Sequence, residues 1–450
     1  MKLTLPRLIS DGMVLEKDRE VHLWGWTEPG RAVRVLLDGE QAAACTAKES
    51  GRFDCKLPKM PADRVCGEAG APGHSLQFIA GEEGKACEQI TVQNVAFGHV
   101  YFCTGQSNME LPMARVKDRY PEEMHALNPS IRTFKITEQT AYSGPLEDVQ
   151  TGSWISVSPQ SIADFSATAY FFGKKMVETL QEPVGLINAT LGGSLISSWM
   201  SREMLEGYDE LLELADRYAD PDYYAGQVHK NEQNAAAWND ALEAADPGRT
   251  AHWEQGLPEM PARASSPAAG SEAGKAVQQV DGMYAGTLIL PAMFADTELA
   301  GFTGSIWFEK RFSLTAEQAC RTYKLWLGTI VDRDETYVNG VAVGRTDYQY
   351  PPRKYAVPAQ VLHAGENCIT VRVVVENGAG RFTPDKHYCL FAADCVTPEE
   401  DPARIRLDGE WIFRTGARMQ PCPETDFVNW KPTGLYNAMT APCHDYVIEG

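Results

Sequence analysis

Short runs in which apolar and polar residues alternate fill the first 91 or so positions. Val21-His22-Leu23-Trp24-Gly25-Trp26 and Ala32-Val33-Arg34-Val35-Leu36-Leu37 are two of them. Turn signals such as Glu28-Pro29-Gly30 and Asp38-Gly39 separate the runs. Period-two alternation between turns predicts half-buried antiparallel strands. Residues 1–91 are therefore expected to form a small β-sandwich. From about residue 92 the texture changes. A short β-former run, Val100-Tyr101-Phe102-Cys103, predicts a buried strand. Residues 165–176 predict a helix buried on one side, and Pro183 to Ala189 a following strand. Strand, helix, strand implies a parallel α/β sheet over 92–205, with any site at the carboxyl ends of its strands.

Residues 206–282 read as a helical and flexible insert. Leu205, Leu211, Leu212, Leu214 and Tyr218 give a broken apolar stripe, and Tyr223, Tyr224 and Trp238 read as packing residues. Residues 263–275, rich in Ala, Ser, Pro and Gly, read as a loop. Alternation returns over 283–395, where Asn339-Gly340 between Val338 and Val341 is a two-residue hairpin signal. A jelly-roll sandwich is expected there. Residues 396–450 read as a return to α/β texture.

Composition narrows the functional classes. The formal charge of −20 and pI of about 4.9 argue against partners that need a basic patch, namely nucleic acid and anionic membrane. No apolar run reaches ~18 residues, so no membrane span is expected. The start, Met1-Lys2-Leu3-Thr4-Leu5-Pro6, carries no secretory pattern. The eleven cysteines are scattered and form no C-x-x-C. Buried free thiols in a reducing, cytoplasmic compartment are the simplest reading. No His, Cys and carboxylate cluster has ligand spacing, so neither metal nor cofactor is expected.

Candidate chemistry centres on Gly105-Gln106-Ser107-Asn108-Met109. A serine where the chain leaves a strand exposes its hydroxyl at a sheet edge, beside the backbone N–H groups of the next turn. Two readings stand: Ser107 is a nucleophile, or it is a helix N-cap. Gly192-Gly193 stands at another strand end and reads equally as a plain turn.

These stretches, taken together, resemble the sialate O-acetylesterase family within the SGNH hydrolases. The landmarks are Met13-Val14-Leu15 with Trp24-Gly25-Trp26, Gly105 to Met109, Gly185 to Asn188, Gly192-Gly193-Ser194 with Trp199, Leu327-Gly328 with Asp332 and Asp334, and Pro432 to Met439. The resemblance implies an SGNH-like α/β esterase with an N-terminal β-sandwich and an inserted jelly roll, acting on an acetylated mono- or oligosaccharide. It implies Ser107 as nucleophile, sharing the oxyanion hole through its own N–H, with Gly192 or Gly193 as a further donor. Gln106, Asn108 and Asn437 are the candidate substrate-binding residues. Asp332, Asp334, Tyr337, Asn339 and Arg353 read either as a sugar-binding face or as turn and hairpin residues.

One departure matters. The family pattern carries a Gly-Glu-Ser-Asn block and an Asp-x-x-His pair, and neither occurs here. Glu122 and His125 have that second spacing but read as a solvated face. Asp385 and His387 are wrongly spaced, and His444 is followed by an Asp that would face the other side of a strand. The nucleophile therefore lacks its base. A fragment of a longer product, a base from a second chain and a non-catalytic sugar-binding relative compete as explanations. The strand-like end, Val447-Ile448, favours the fragment.

Overall fold

The computed structural model describes residues 2–65, 70, 73–81, 87–136, 146–259, 278–280 (backbone only) and 283–423. They fall into two compact units divided after Gln227.

The first unit is built on one mixed sheet. Its strands are β1 (Val14–Glu16), β3 (Ala32–Leu37), β4 (Glu40–Thr46), β6 (His74–Ala80), β7 (Glu88–Gly105), β8 (Asn128–Ile136), β9 (Trp154–Val157) and β10 (Val184–Thr190). They run in the order β4-β3-β6-β7-β10-β8-β9, with β1 beside β7. β2 (Val21–Trp26) and β5 (Arg52–Leu57) pair separately. The 18-residue β7 links two textures. Its first half pairs antiparallel with β6, and its last seven residues pair parallel with β10. The boundary expected at 91/92 thus falls inside a strand. Both textures share one sheet, because a long β-former run can carry a different partner along each half.

β10 is buried at all seven positions. Parallel strands flank it on both sides, which is why it reads as a continuous apolar run. Helix α2 (Ala167–Leu180) packs on it. Ser166 caps the helix, accepting from Ala169 N at 3.2 Å, and Ala169, Tyr170, Gly173 and Val177 form the buried face. A methyl on Gly173 would stand 3.0 Å from Leu186 Cδ1, so this glycine sets the helix-to-sheet distance. Helix α3 (Asp209–Ala219) buries Ala215 and Tyr218, with Leu211, Leu214, Tyr223 and Tyr224 packed around them.

The expectation of free thiols is corrected at one place. Cys45 and Cys55, on β4 and β5, are joined by a disulfide with Cα atoms 5.2 Å apart. A spacing of ten residues carries no signal for this, since strand placement brings the two together. Disulfides are products of oxidising compartments, so the basis for a cytoplasmic reading is gone. Cys103, Cys320, Cys368, Cys389 and Cys395 form no disulfide among the described residues. Among the described residues no helix is long and apolar enough to cross a membrane.

The second unit begins within helix α4 (Pro221–Ala245). Trp238 and Leu242 are buried against Val374 and Ala417. The strands are β11 (Gln278–Val280), β12 (Met283–Leu290), β13 (Gly304–Leu314), β14 (Tyr323–Leu327), β15 (Ile330–Val331), β16 (Arg333–Val338), β17 (Val341–Thr346), β18 (Lys354–Val357), β19 (Gly365–Val375), β20 (Arg381–Phe382), β21 (Tyr388–Ala392), β22 (Ile405–Arg406) and β23 (Gly409–Arg418). A seven-stranded sheet runs β11-β12-β23-β13-β19-β16-β17, a four-stranded one β18-β14-β21-β22, and β15 pairs with β20. Residues of both larger sheets, among them Ile306, Phe308, Val371, Leu325 and Leu390, share one core.

Asn339-Gly340 makes the expected turn, with φ of 49° and 79°. Residues 405–418 do not return to α/β texture as expected. β23 instead lies between β12 and β13, where Phe413 joins the core. Alternation alone could not say which sheet would take it. The loop expected at 263–275 lies outside the described residues.

One carboxylate here gives a pH dependence. Burial pushes Glu335 upward, but hydrogen bonds from Arg249 and Tyr337 outweigh this and hold its pKa at about 2. A depressed carboxylate stabilises the fold above its unfolded pKa, near 4.5, and that contribution is lost as pH falls through the folded value. Urea unfolding of the protein should therefore show stability declining from about pH 4.5 toward 2. Glu335→Gln should lower stability at neutral pH and flatten that acid limb. An unchanged limb would assign the decline to other groups.

Candidate functional site

Ser107 stands where the parallel part of the first unit's sheet ends. Gly105, the last residue of β7, pairs with Thr190, the last of β10. Leu191 N then donates to Gly105 O at 3.1 Å, tying the two strand exits together. Gly105 has φ +147°, which disfavours an L side chain, and a methyl there would meet Met109 Cβ at 3.3 Å. The chain turns at once into the short helix α1 (Ser107–Glu110).

The N-cap of that helix is Gln106, not Ser107. The capping reading of Ser107 is thereby removed. Its side chain is exposed, and its hydroxyl meets no partner among the described residues. The loop beneath it is braced. Thr168 Oγ1 donates to Asn108 O at 3.0 Å, Ala167 N to Leu111 O at 2.8 Å, and Met113 N to Phe165 O at 2.8 Å.

The glycine pair arrives from β10. A methyl on Gly192 would stand 3.7 Å from Ser107 Oγ and 2.5 Å from Glu110 Oε2, so the three groups meet at one spot. The Gly192 N–H donates to the Glu110 carboxylate. Gly193 has φ +73°, with open space where a side chain would stand, and its N–H meets no acceptor among the described residues. The turn is held from behind: Ser194 Oγ donates to Leu191 O at 2.7 Å, and Trp199 Nε1 donates to Ser194 Oγ at 2.9 Å. Under the turn, the buried Asn188 accepts from Thr190 Oγ1 at 3.1 Å.

Ser107 and Gly192 are therefore brought together, and Gly193 is the next residue of that turn. Gln106 and Asn108 flank Ser107 and are exposed. Asn437 lies outside the described residues, as do Pro432 to Met439 and His444. Glu110 is the residue that sequence reasoning missed. Only the α1 geometry aims its carboxylate at the second strand exit, and its one sequence signal was adjacency to the Ser107 stretch.

Among the described residues of the first unit no histidine hydrogen-bonds Ser107. His22, His74 and His99 pair with Asp54, with Asp38 and Asp63, and with Glu182. His125 and Glu122 are both exposed, as the solvated-face reading had it. Among the described residues no three His, Cys, Asp or Glu side chains gather into a group fit for a metal ion.

In the second unit the sequence-nominated sugar face is structural. Asp334 and Arg353 form a fully buried ion pair at 2.7 Å. Asn339 Nδ2 donates to Val361 O at 2.7 Å, and its Oδ1 accepts from Cys368 N at 2.8 Å. Asp332 accepts from Glu376 N, and the Tyr337 hydroxyl donates to Glu335.

Comparison with known proteins bears on the same stretch. The family described as carbohydrate esterase, sialic acid-specific acetylesterase, matches residues 97–243. The sialate O-acetylesterase of Mus musculus is 28% identical over 210 residues, covering 44% of this chain and 37% of its own length. The sialate O-acetylesterase of Homo sapiens is 27% identical over 208 residues, covering 44% and 39%. The chain thus spans well under half the length of these relatives. A carbohydrate acetylesterase structure from Xanthomonas citri is 31% identical over 45% of this chain and 43% of that one, at a TM-score of 0.41. The matched segment begins in β7 and takes in Ser107, α2, β10 and the glycine pair. Over residues 97–243 the chain is thus similar to the sialic acid-specific acetylesterase family of carbohydrate esterases.

Proposed function

We propose that the protein is a serine carbohydrate O-acetylesterase that removes acetyl groups from an acetylated mono- or oligosaccharide. The observation that carries this reading is the Ser107 hydroxyl, exposed at the carboxyl end of β7 with the Gly192 backbone beside it. Acyl transfer needs a nucleophile, a base and donors for the oxyanion. Ser107 Oγ attacks the acetyl carbonyl, the C=O electron pair moves onto oxygen, and the sugar alkoxide leaves with a proton. Water then cleaves the acetyl-enzyme.

Gly192 N–H is engaged by Glu110, so it cannot serve the oxyanion while that bond holds. The Gly193 N–H, with the Ser107 N–H, is the better assignment. Glu110 then acts as a positioning residue that fixes the 191–193 turn. The base and its orienter are taken to come from residues other than those described. The second unit is read as a jelly-roll domain inserted in the esterase. Family likeness favours sialic acid as the acetylated sugar, and acetylxylan or another sugar ester is the alternative.

Labelling tests the nucleophile. A fluorophosphonate should modify the protein once, on the peptide that contains Ser107, and acetyl release from an aryl acetate should stop in proportion. Labelling of a different serine in an active protein would refute the assignment. Glu110→Ala should lower kcat about 10- to 100-fold, roughly 1.4–2.7 kcal/mol, with KM little changed. Glu110→Gln, which can still accept the N–H, should recover most of it. Equal losses in both variants would mean that the charge, not the bond, matters.

A further inference from the structure

A second cavity lies in the second unit, between helix α4, the turn that follows it, and strands β16, β17 and β19. Its volume is about 410 Å³. Such a volume is ordinary for a small-molecule site. We infer that this cavity is a binding site for a neutral saccharide, an inference independent of the esterase reading.

The lining chemistry selects the ligand. Four arginines and four carboxylates line the cavity, so its formal charge balances. With Asp334 taken by Arg353 and Arg372 by Asp246, a phosphate or a polyanionic sugar would meet Glu243, Glu335 and Asp347 without surplus positive charge, in a chain of net charge −20. A neutral polyol suits it better. Each hydroxyl of a sugar both donates and accepts, and paired guanidinium and carboxylate edges offer both functions a few ångströms apart.

The walls are preorganised. Arg249 holds Glu335 through two bonds, Nη1 to Oε2 at 2.7 Å and Nη2 to Oε1 at 2.5 Å. Arg333 is bound to Asn239 and Glu376. At the floor, Arg372 has a side chain only 2% exposed and is bonded to Asp246 at 2.8 Å. Its Nη2 stands 2.8 Å from Glu243 but makes no aligned hydrogen bond. A buried donor left without an aligned acceptor is costly, and a ligand hydroxyl would satisfy it.

The rim adds an independent feature. Arg345 and Asp347 line the cavity with side chains 64% and 60% exposed. Immediately after them come Tyr348 and Tyr350, both more than half exposed, with ring centroids 5.1 Å apart in a T-shaped pair. Large aromatic faces held in water beside a polar cavity are suited to the C–H face of a sugar ring.

Equilibrium binding to the whole protein tests this. The probes are unacetylated neutral oligosaccharides of glucose, galactose, mannose and xylose, read by saturation-transfer NMR and calorimetry. The absence of ester groups keeps the result apart from the esterase reading. At least one probe should bind saturably in the millimolar range or tighter. Arg345→Ala and the double variant Tyr348→Ala/Tyr350→Ala should each weaken it at least tenfold, with unchanged thermal unfolding, and Ser107→Ala should leave it unchanged. No saturable binding by any probe overturns the inference. So does binding that survives both rim variants, binding that is lost with Ser107→Ala, or binding of anionic sugars alone.

Discussion

Ser107→Ala is expected to reduce acetyl release by roughly 10⁴-fold or more, about 5 kcal/mol of transition-state stabilisation. The hydroxyl is the atom that forms the acetyl-enzyme in the proposed mechanism, and no neighbouring group can replace it. The side chain is exposed and bonded to nothing described, so its removal leaves the fold intact. Thermal stability should shift by no more than surface substitutions usually produce, about 0.5 kcal/mol. Measured with an aryl acetate and with acetylated sialic acid, kcat should fall for both substrates together. A variant that keeps full activity would end the serine-esterase reading.

Asp334→Ala should be the most damaging single change to the second unit, costing about 3–5 kcal/mol. Both members of the Asp334–Arg353 pair are fully buried. Arg353 Nη2 donates to Ile330 O at 2.6 Å, and Nη1 to Pro351 O at 2.7 Å. Asp334 also accepts from Thr336 Oγ1 at 2.8 Å and from Tyr355 OH at 2.9 Å. Removing the carboxylate strands a guanidinium in a low-dielectric interior and frees two hydroxyls of their acceptor. Replacing both partners, as in Asp334→Leu with Arg353→Met, should recover much of the loss, because no uncompensated charge is left. Urea unfolding separates the cases. A single-variant loss below about 1 kcal/mol would mean that water reaches the pair.

Much of the fold was legible because burial imposes a period on the chain. β10 reads as an apolar run since both of its edges are paired in parallel. The helix of 167–180 reads from its one buried face, and the 339–340 turn from a residue pair that tolerates positive φ. Period says which face is buried but not against what. Hence alternation does not say that 409–418 joins the second unit's sheet, that β7 carries both textures, or that Cys45 meets Cys55.

For the site, sequence alone determined the glycine-serine stretch and the glycine pair, because these are local patterns with fixed spacing. Tertiary structure alone decided that Ser107 follows the cap rather than forming it, that Glu110 holds the Gly192 amide, and that Asp334 and Arg353 are interior supports. Each depends on the meeting of segments tens of residues apart or on the angle at which a turn leaves its strand. Neither is encoded in nearest-neighbour sequence, since both follow from how strands settle beside one another once their apolar faces are covered.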